Sequence, residues 1–124
     1  MKRSVLVVDD DRDSVAIIAS MLERRGYKVL AAASGTEALG TIEREQVDLV
    51  LLDVMMPEMS GLEVLQLIKE NAQTGRLPVI LVTAKTRDED LLSGYQYGAD
   101  YYITKPFTTE QLLYGVNLVL GKGK

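Results

Sequence analysis

Five short apolar runs, each followed within a few residues by a helix-start signal, constrain this chain more than any other feature. The runs are VLVV (5–8), VLAAA (29–33), VDLVLL (47–52), PVILV (78–82) and YYI (101–103). They are mostly apolar without alternation, the pattern of parallel strands covered by helices on both faces. Behind them stand Ser34…Glu37, Ser60…Glu63, Thr86…Glu89 and Thr108…Gln111. Each is a capping-box pattern, a hydroxyl at the N-cap with a carboxylate or amide one turn later. After the first run, Asp10 or Asp11 can take the capping place. Helical spacing follows, with Ile18, Met21 and Leu22 on one face, then Val64, Leu65 and Ile68, then Leu112, Val116 and Val119. Gly26 and Gly98 fit the residue just past a helix end. The helix predicted over about 88–97 is the weakest, anchored by Leu91, Leu92 and Tyr95 with Gly94 inside it. The spacing predicts (βα)5, a doubly wound three-layer α/β sandwich, with residues 1–124 as one domain.

Polar residues then fall where the apolar runs do not explain them. The first strand ends in Asp9-Asp10, the third in Asp53, the fourth in Thr83 and the fifth in Lys105. In an open parallel sheet ligands bind outside the carboxyl ends of the strands, and right-handed crossovers bring those ends to one edge. Carboxylates crowded at the end of a buried strand repel one another and raise each other's pKa. A cation relieves that repulsion, and carboxylate oxygens facing water suit Mg²⁺. Helix capping alone needs one acid, so three in a row favour the metal; Asp11 and Asp13 fit first-turn acids on a solvated face.

Lys105 and Thr83 are surplus to metal binding. A lysine and a hydroxyl beside Mg²⁺ are parts that stabilise a transferring phosphoryl group. The chain has no Cys and no His, so a carboxylate forming an acyl phosphate is the natural acceptor. Asp53, alone at its strand end, can take the group while Asp9 and Asp10 hold the metal. The absence of Cys also suits a cytoplasmic location. No apolar run approaches the roughly 20 residues of a membrane span, and a net charge of −4 leaves no basic footprint for nucleic acid.

The segments VLVVDDD (5–11), LVLLDVMMPEMSGLEVL (49–65), VILVTAK (79–85) and GADYYITKPF (98–107) together resemble the receiver domain of two-component response regulators, over essentially the whole chain. Length and termini are similar to the single-domain, chemotaxis-type members. The resemblance implies a flavodoxin-like sheet in strand order 2-1-3-4-5 and phosphorylation of Asp53 by a phosphohistidine of a sensor histidine kinase or phosphotransfer protein. It implies Mg²⁺ bound directly by Asp10 and Asp53, partly through water by Asp9, and by the backbone carbonyl of Met55. Lys105 would pair with the phosphoryl oxygens, and Thr83 and the Ala84 amide would hydrogen-bond to them. Tyr102 falls where an aromatic rotamer couples to that threonine, Lys105–Pro106 would be cis, and Pro57 and Gly61 match the loop after the acceptor.

On this resemblance the output face is the fourth helix, fifth strand and fifth helix, which signals to a partner or an output domain, with a phosphorylation-dependent dimer as one form. Tyr95, Tyr97, Tyr101 and Tyr102 are a candidate patch there, although half-buried packing with a wet hydroxyl explains such residues as well. Met55 and Lys85 flank the route of water to the acyl phosphate, and an apolar residue and a cation there predict a long-lived phosphoprotein. Such a domain catalyses only its own phosphorylation and dephosphorylation and is not otherwise an enzyme. A haloacid-dehalogenase-like phosphatase would share the acid, hydroxyl, lysine and Mg²⁺, but Met55 stands where its general acid belongs. An FMN-binding flavodoxin would leave the acids unexplained, and a phosphorylation-independent pseudo-receiver would not need the intact cluster.

Overall fold

The computed structural model describes residues 2–84 and 95–121. Strands β1 (Ser4–Val8), β2 (Lys28–Ala32), β3 (Leu49–Leu52), β4 (Val79–Thr83) and β5 (Tyr101–Thr104) form one sheet in the order β2-β1-β3-β4-β5. Every pairing is parallel. Among the described residues the helices are α1 (Arg12–Glu23), α2 (Gly35–Arg44), α3 (Gly61–Glu70) and α4 (Thr109–Leu120). Thus α4 is the fifth helix expected from the sequence. The fourth falls mostly on 85–94, and with it the Thr86…Glu89 box, Leu91, Leu92, Gly94 and also Lys85 lie outside the described residues.

The unbroken apolar runs are explained by the two faces they serve. Leu6, Val8, Val50, Leu52, Val79 and Leu81 point to a core closed by Ala38 of α2 and by Val64, Leu65 and Ile68 of α3. Their neighbours Val5, Val7, Leu49, Leu51, Ile80, Val82 and Ile103 point to a second core, closed by Ile18 and Leu22 of α1 and by Leu112 and Val116 of α4. Alternate side chains on a strand face opposite ways, so a strand covered on both sides needs apolar residues at every position.

Caps set where the helices begin. The Asp11 carboxylate accepts the Asp13 N–H at 3.0 Å, the Ser34 hydroxyl accepts from Glu37, and reciprocal boxes form at Ser60/Glu63 and Thr108/Gln111. At α2 the glutamate reaches one residue further back, to the Ala33 N–H at 2.6 Å. Gly26, at φ +88°, ends α1 with paired bonds from Gly26 N–H to the Glu23 carbonyl and from Tyr27 N–H to the Leu22 carbonyl. β3 begins at Leu49 rather than Val47 because Asp48 is engaged across the strand start. Its carboxylate accepts the Ser4 N–H at 2.7 Å and its N–H donates to the Ser4 carbonyl at 2.8 Å.

Candidate functional site

The carboxyl ends of β1, β3 and β4 and the residue just past β5 meet at one edge of the sheet. Asp53 leaves β3 with its N–H donated to the Val8 carbonyl at 2.9 Å, which pins it beside the end of β1. Lys105 leaves β5 with its N–H donated to the Thr83 carbonyl at 2.9 Å. Backbone pairing thereby brings together residues that are 96 positions apart. The Lys105–Pro106 peptide bond is cis, as the resemblance implies.

Within this edge Asp9 and Asp53 are buried, 4% and 7% exposed, Thr83 is fully enclosed, and Asp10 faces solvent. One oxygen of each carboxylate of Asp9, Asp10 and Asp53 lies within 4.8 Å of those of the other two. The Lys105 ammonium donates to Asp9 Oδ2 at 2.7 Å and stands 4.0 Å from Asp53 Oδ2. Asp9 Oδ1 accepts the Asp11 N–H at 2.9 Å, and Asp53 Oδ1 accepts the Met55 N–H at 3.2 Å. Both oxygens of Asp9 are therefore engaged by the protein, and the exposed Asp10 is the acid that opens toward solvent.

Burial pushes the Asp53 carboxyl up to about 6, and the Asp9 charge adds to that rise. Lys105 and the Met55 N–H oppose it without cancelling it. An acid held this way gains from a cation beside it, and three carboxylates that share one small space fit a hard divalent ion with oxygen ligands. Asp11 is different in kind. It is fully exposed, and the Asp13 N–H and the Ser14 hydroxyl lower its pKa as they would for any capping carboxylate.

Two features shape the loop beyond Asp53. A Cβ on Gly61 would stand 2.1 Å from the Asp53 carbonyl oxygen and 2.7 Å from Val54 Cα. The start of α3 therefore lies directly on the backbone that carries Asp53, with the Gly61 N–H donating to the Val54 carbonyl at 2.9 Å. Glu58 takes the left-handed conformation, at φ +68°, which the sequence does not signal. Met55 is 57% exposed beside the cluster.

Tyr102 is half-buried and packs against the core under α2 and α3. Its register partner is Leu81, the residue on the same face of β4 as Thr83. Ala84, next to Thr83, is exposed. Of the tyrosines, Tyr95 and Tyr97 are exposed whereas Tyr101 is half-buried against α4, its ring 6.3 Å from that of Tyr114. Tyr114, 61% exposed, belongs to the same aromatic surface. Nothing in the sequence marks it, since an aromatic on a helix serves packing as readily as a surface. The ion pair between Lys105 and Asp9 was equally hidden, since sequence brings Lys105 to the edge without choosing its acid.

The family model of the response regulator receiver domain matches residues 5–117. Similar curated proteins include the alkaline phosphatase synthesis transcriptional regulatory protein PhoP of Bacillus subtilis (strain 168). It is 38% identical over 124 residues, covering 100% of this chain and 51% of PhoP. The transcriptional regulatory protein YvrH of the same organism is 46% identical over 110 residues, covering 88% of this chain and 45% of YvrH. The chain thus spans about half the length of these relatives. Among solved structures, chemotaxis protein CheY4 of Vibrio cholerae superposes with a TM-score of 0.92 at 32% identity, covering 97% of this chain and 100% of that one. A CheY-like receiver domain protein of Methanospirillum hungatei JF-1 gives a TM-score of 0.90 at 33% identity, covering 98% of this chain and 96% of that one.

Proposed function

This chain belongs to the response regulator receiver domains of two-component systems, and from that premise we propose that it is switched by phosphorylation of Asp53. The observation that carries the reading is the convergence of Asp9, Asp10 and Asp53 within 4.8 Å with the Lys105 ammonium among them. Receiver domains are signalling modules rather than enzymes with an external product, so the reaction ends on the protein itself.

Each residue has a task set by its surroundings. With its carboxyl titrating at about 6, Asp53 is mostly ionised at neutral pH yet poorly solvated, the state of an activated nucleophile. Asp9 holds Lys105 by its 2.7 Å bond, with the ammonium already beside Asp53. As negative charge arrives on Asp53, Lys105 is near enough to turn from Asp9 and meet it. Thr83 and the Ala84 amide supply hydrogen bonds to the same oxygens. Asp9, Asp10, Asp53 and the carbonyl of Met55 would hold Mg²⁺, which offsets the repulsion of the acids and the charge of the incoming phosphoryl group. Thr83, drawn toward the new group, lets Tyr102 turn inward and biases the face of β5 and α4, together with the fourth helix expected from the sequence, which falls mostly outside the described residues. Hydrolysis returns the domain to rest and is also its own reaction.

The donor on this reading is a phosphohistidine of a sensor histidine kinase or phosphotransfer protein in the cytoplasm. Domain 1–124 acts as one receiver unit and passes the change to a target, an output domain or a second copy. None of the described helices is long and apolar enough to cross a membrane. Intact mass after incubation with phosphoramidate, with and without Mg²⁺, tests the reading. One phosphoryl adduct that requires Mg²⁺ and is lost in Asp53→Asn is the expected result. An adduct that persists in the variant would overturn it.

A further inference from the structure

We propose, on the reading of the β5–α4 face as the output surface, that this face holds a partner protein by an arginine side chain, seated between Tyr101 and Tyr114 and paired with Glu110. The seat is an open cleft of about 530 Å³ lined by Tyr101, Thr108, Glu110, Gln111 and Tyr114. None of these residues belongs to the acid cluster of Asp9, Asp10 and Asp53.

Gly115 shows that the chain makes room for the Tyr101 ring. It stands inside α4, where a glycine is unfavourable. A Cβ there would lie 2.9 Å from Tyr101 Cδ2 and 3.0 Å from Ile103 Cδ1. The ring thus lies directly against the helix, its centre 6.3 Å from that of Tyr114 with the planes 57° apart. Tyr114 is 61% exposed, so packing within the chain leaves most of that ring unused. Among the described residues neither hydroxyl has a hydrogen-bond partner, and Glu110 has no ion pair.

Charge decides what fits. From 95 to 121 the charged residues are Asp100, Lys105 and Glu110. Asp100 is held by Lys69 at 3.1 Å and Lys105 holds Asp9 at 2.7 Å, which leaves Glu110 as the unpaired charge of this described stretch. A first-turn acid also suits the dipole of α4, and by itself it would point to no ligand. Two tyrosine rings beside it do. The face of an aromatic ring attracts a cation, and a guanidinium stacks flat on a ring while its N–H groups reach a carboxylate. Tyrosine and arginine are also the residues that most often dominate binding at protein interfaces. A second copy presents the same acid and the same rings, so a symmetric pairing through this cleft brings no described cation to Glu110.

The peptide acetyl-Leu-Arg-Ala-Arg-Leu-amide and its twin with citrulline for both arginines separate charge from shape. In NMR titrations with excess Mg²⁺ competing for the acid cluster, the arginine peptide should bind about three- to tenfold tighter. The largest shifts should fall at Tyr101, Glu110 and Tyr114. Glu110→Gln and Tyr114→Ala, both exposed changes that keep helix propensity, should each bring the ratio toward one. Equal affinity of the two peptides, no binding, or an arginine preference untouched by both variants would overturn the proposal. So would a dimer of the phosphorylated protein, seen by sedimentation, that Tyr114→Ala dissolves, because the face then belongs to a second copy. The titration repeated after phosphoramidate treatment tests the output reading separately. Arginine binding that the adduct leaves unchanged would uphold the cleft and remove it from the output surface.

Discussion

Asp53 is held in tension by its neighbours, and that tension has a measurable sign. In the unfolded chain its carboxyl titrates near the ordinary 3.8, and in the folded metal-free protein at about 6. Between those values the folded state binds the extra proton, so its stability falls as pH rises through the window and stays lowered above it. We expect Asp53→Asn to melt at a higher temperature than the native protein at neutral pH without Mg²⁺. The gain should shrink toward about pH 4, where the native carboxyl is protonated in the fold. Mg²⁺ should raise the melting temperature of the native protein more than that of the variant. Thermal melts at paired pH values with and without Mg²⁺ check all three, and a variant no more stable at neutral pH would show that Asp53 is not strained. A second residue-scale expectation concerns Met55, exposed beside the proposed acceptor. The Met55→Asn, Lys85→Glu double variant should lose its phosphoryl group severalfold faster than the native chain, measured by adduct decay in intact mass, and equal lifetimes would sink the idea. At this scale the acids were legible because strand ends in an apolar chain have few reasons to be charged. The partner of Lys105 was not, because three carboxylates compete for it and only the folded geometry sets Asp9 at 2.7 Å against Asp53 at 4.0 Å.

At the scale of the element, the loop after Asp53 depends on how closely α3 approaches it. Gly61 has no room for a Cβ, which would lie 2.1 Å from the Asp53 carbonyl oxygen. The obstacle is backbone, so a side chain there must push α3 or the Asp53 loop aside. Gly61→Ala should cost about 3 kcal/mol, the upper part of the range for overpacking, and should slow phosphorylation of Asp53 as well. Ser60→Ala, one residue earlier, removes the N-cap of the same helix and should cost about 1 kcal/mol with little effect on phosphorylation. Urea unfolding and phosphoramidate labelling of the two variants separate loop displacement from helix stability. If both lost stability and labelling alike, the tight approach of Gly61 would carry no special role. Elements were the most legible scale. The spacing of a hydroxyl to an acid located α2 and α3 and that of a hydroxyl to an amide located α4, and the glycines at 26 and 98 marked turns of positive φ. Glu58 shows the limit, since a left-handed glutamate is set by the path of its loop and no local preference announces it.

At the scale of the whole molecule, the proposed switch asks one hydrogen bond to redirect a surface. A hydrogen bond from Thr83 to a phosphoryl oxygen involves a charged acceptor and is worth about 1.5–3 kcal/mol, a factor of roughly 10–150 in a two-state equilibrium. Carrying a population from almost wholly inactive to almost wholly active needs about 5.5 kcal/mol. Thr83 alone is therefore too weak for a complete switch from a strongly biased resting state. The domain at rest must already sample its active form, or Lys105 must contribute when it exchanges Asp9 for the phosphoryl group. Packing gives Tyr102 a place in this coupling: it lies half-buried over the α2 and α3 core, one same-face position from Thr83. Strand order was legible from the family resemblance, while the polar strand ends showed only which edge of the sheet carries the site. The two-state balance was not, because it depends on a difference of a few kcal/mol between two packings of one sequence. We expect amide exchange over 101–104 and 109–120 to change on phosphorylation of the native protein. Thr83→Ala should still accept the phosphoryl group on Asp53 but lose most of that change, and Thr83→Ser, which keeps the hydroxyl, should retain a good part of it. An unaltered response in phosphorylated Thr83→Ala would assign the coupling to Lys105, whose exchange of partners is then the remaining route from Asp53 to β5.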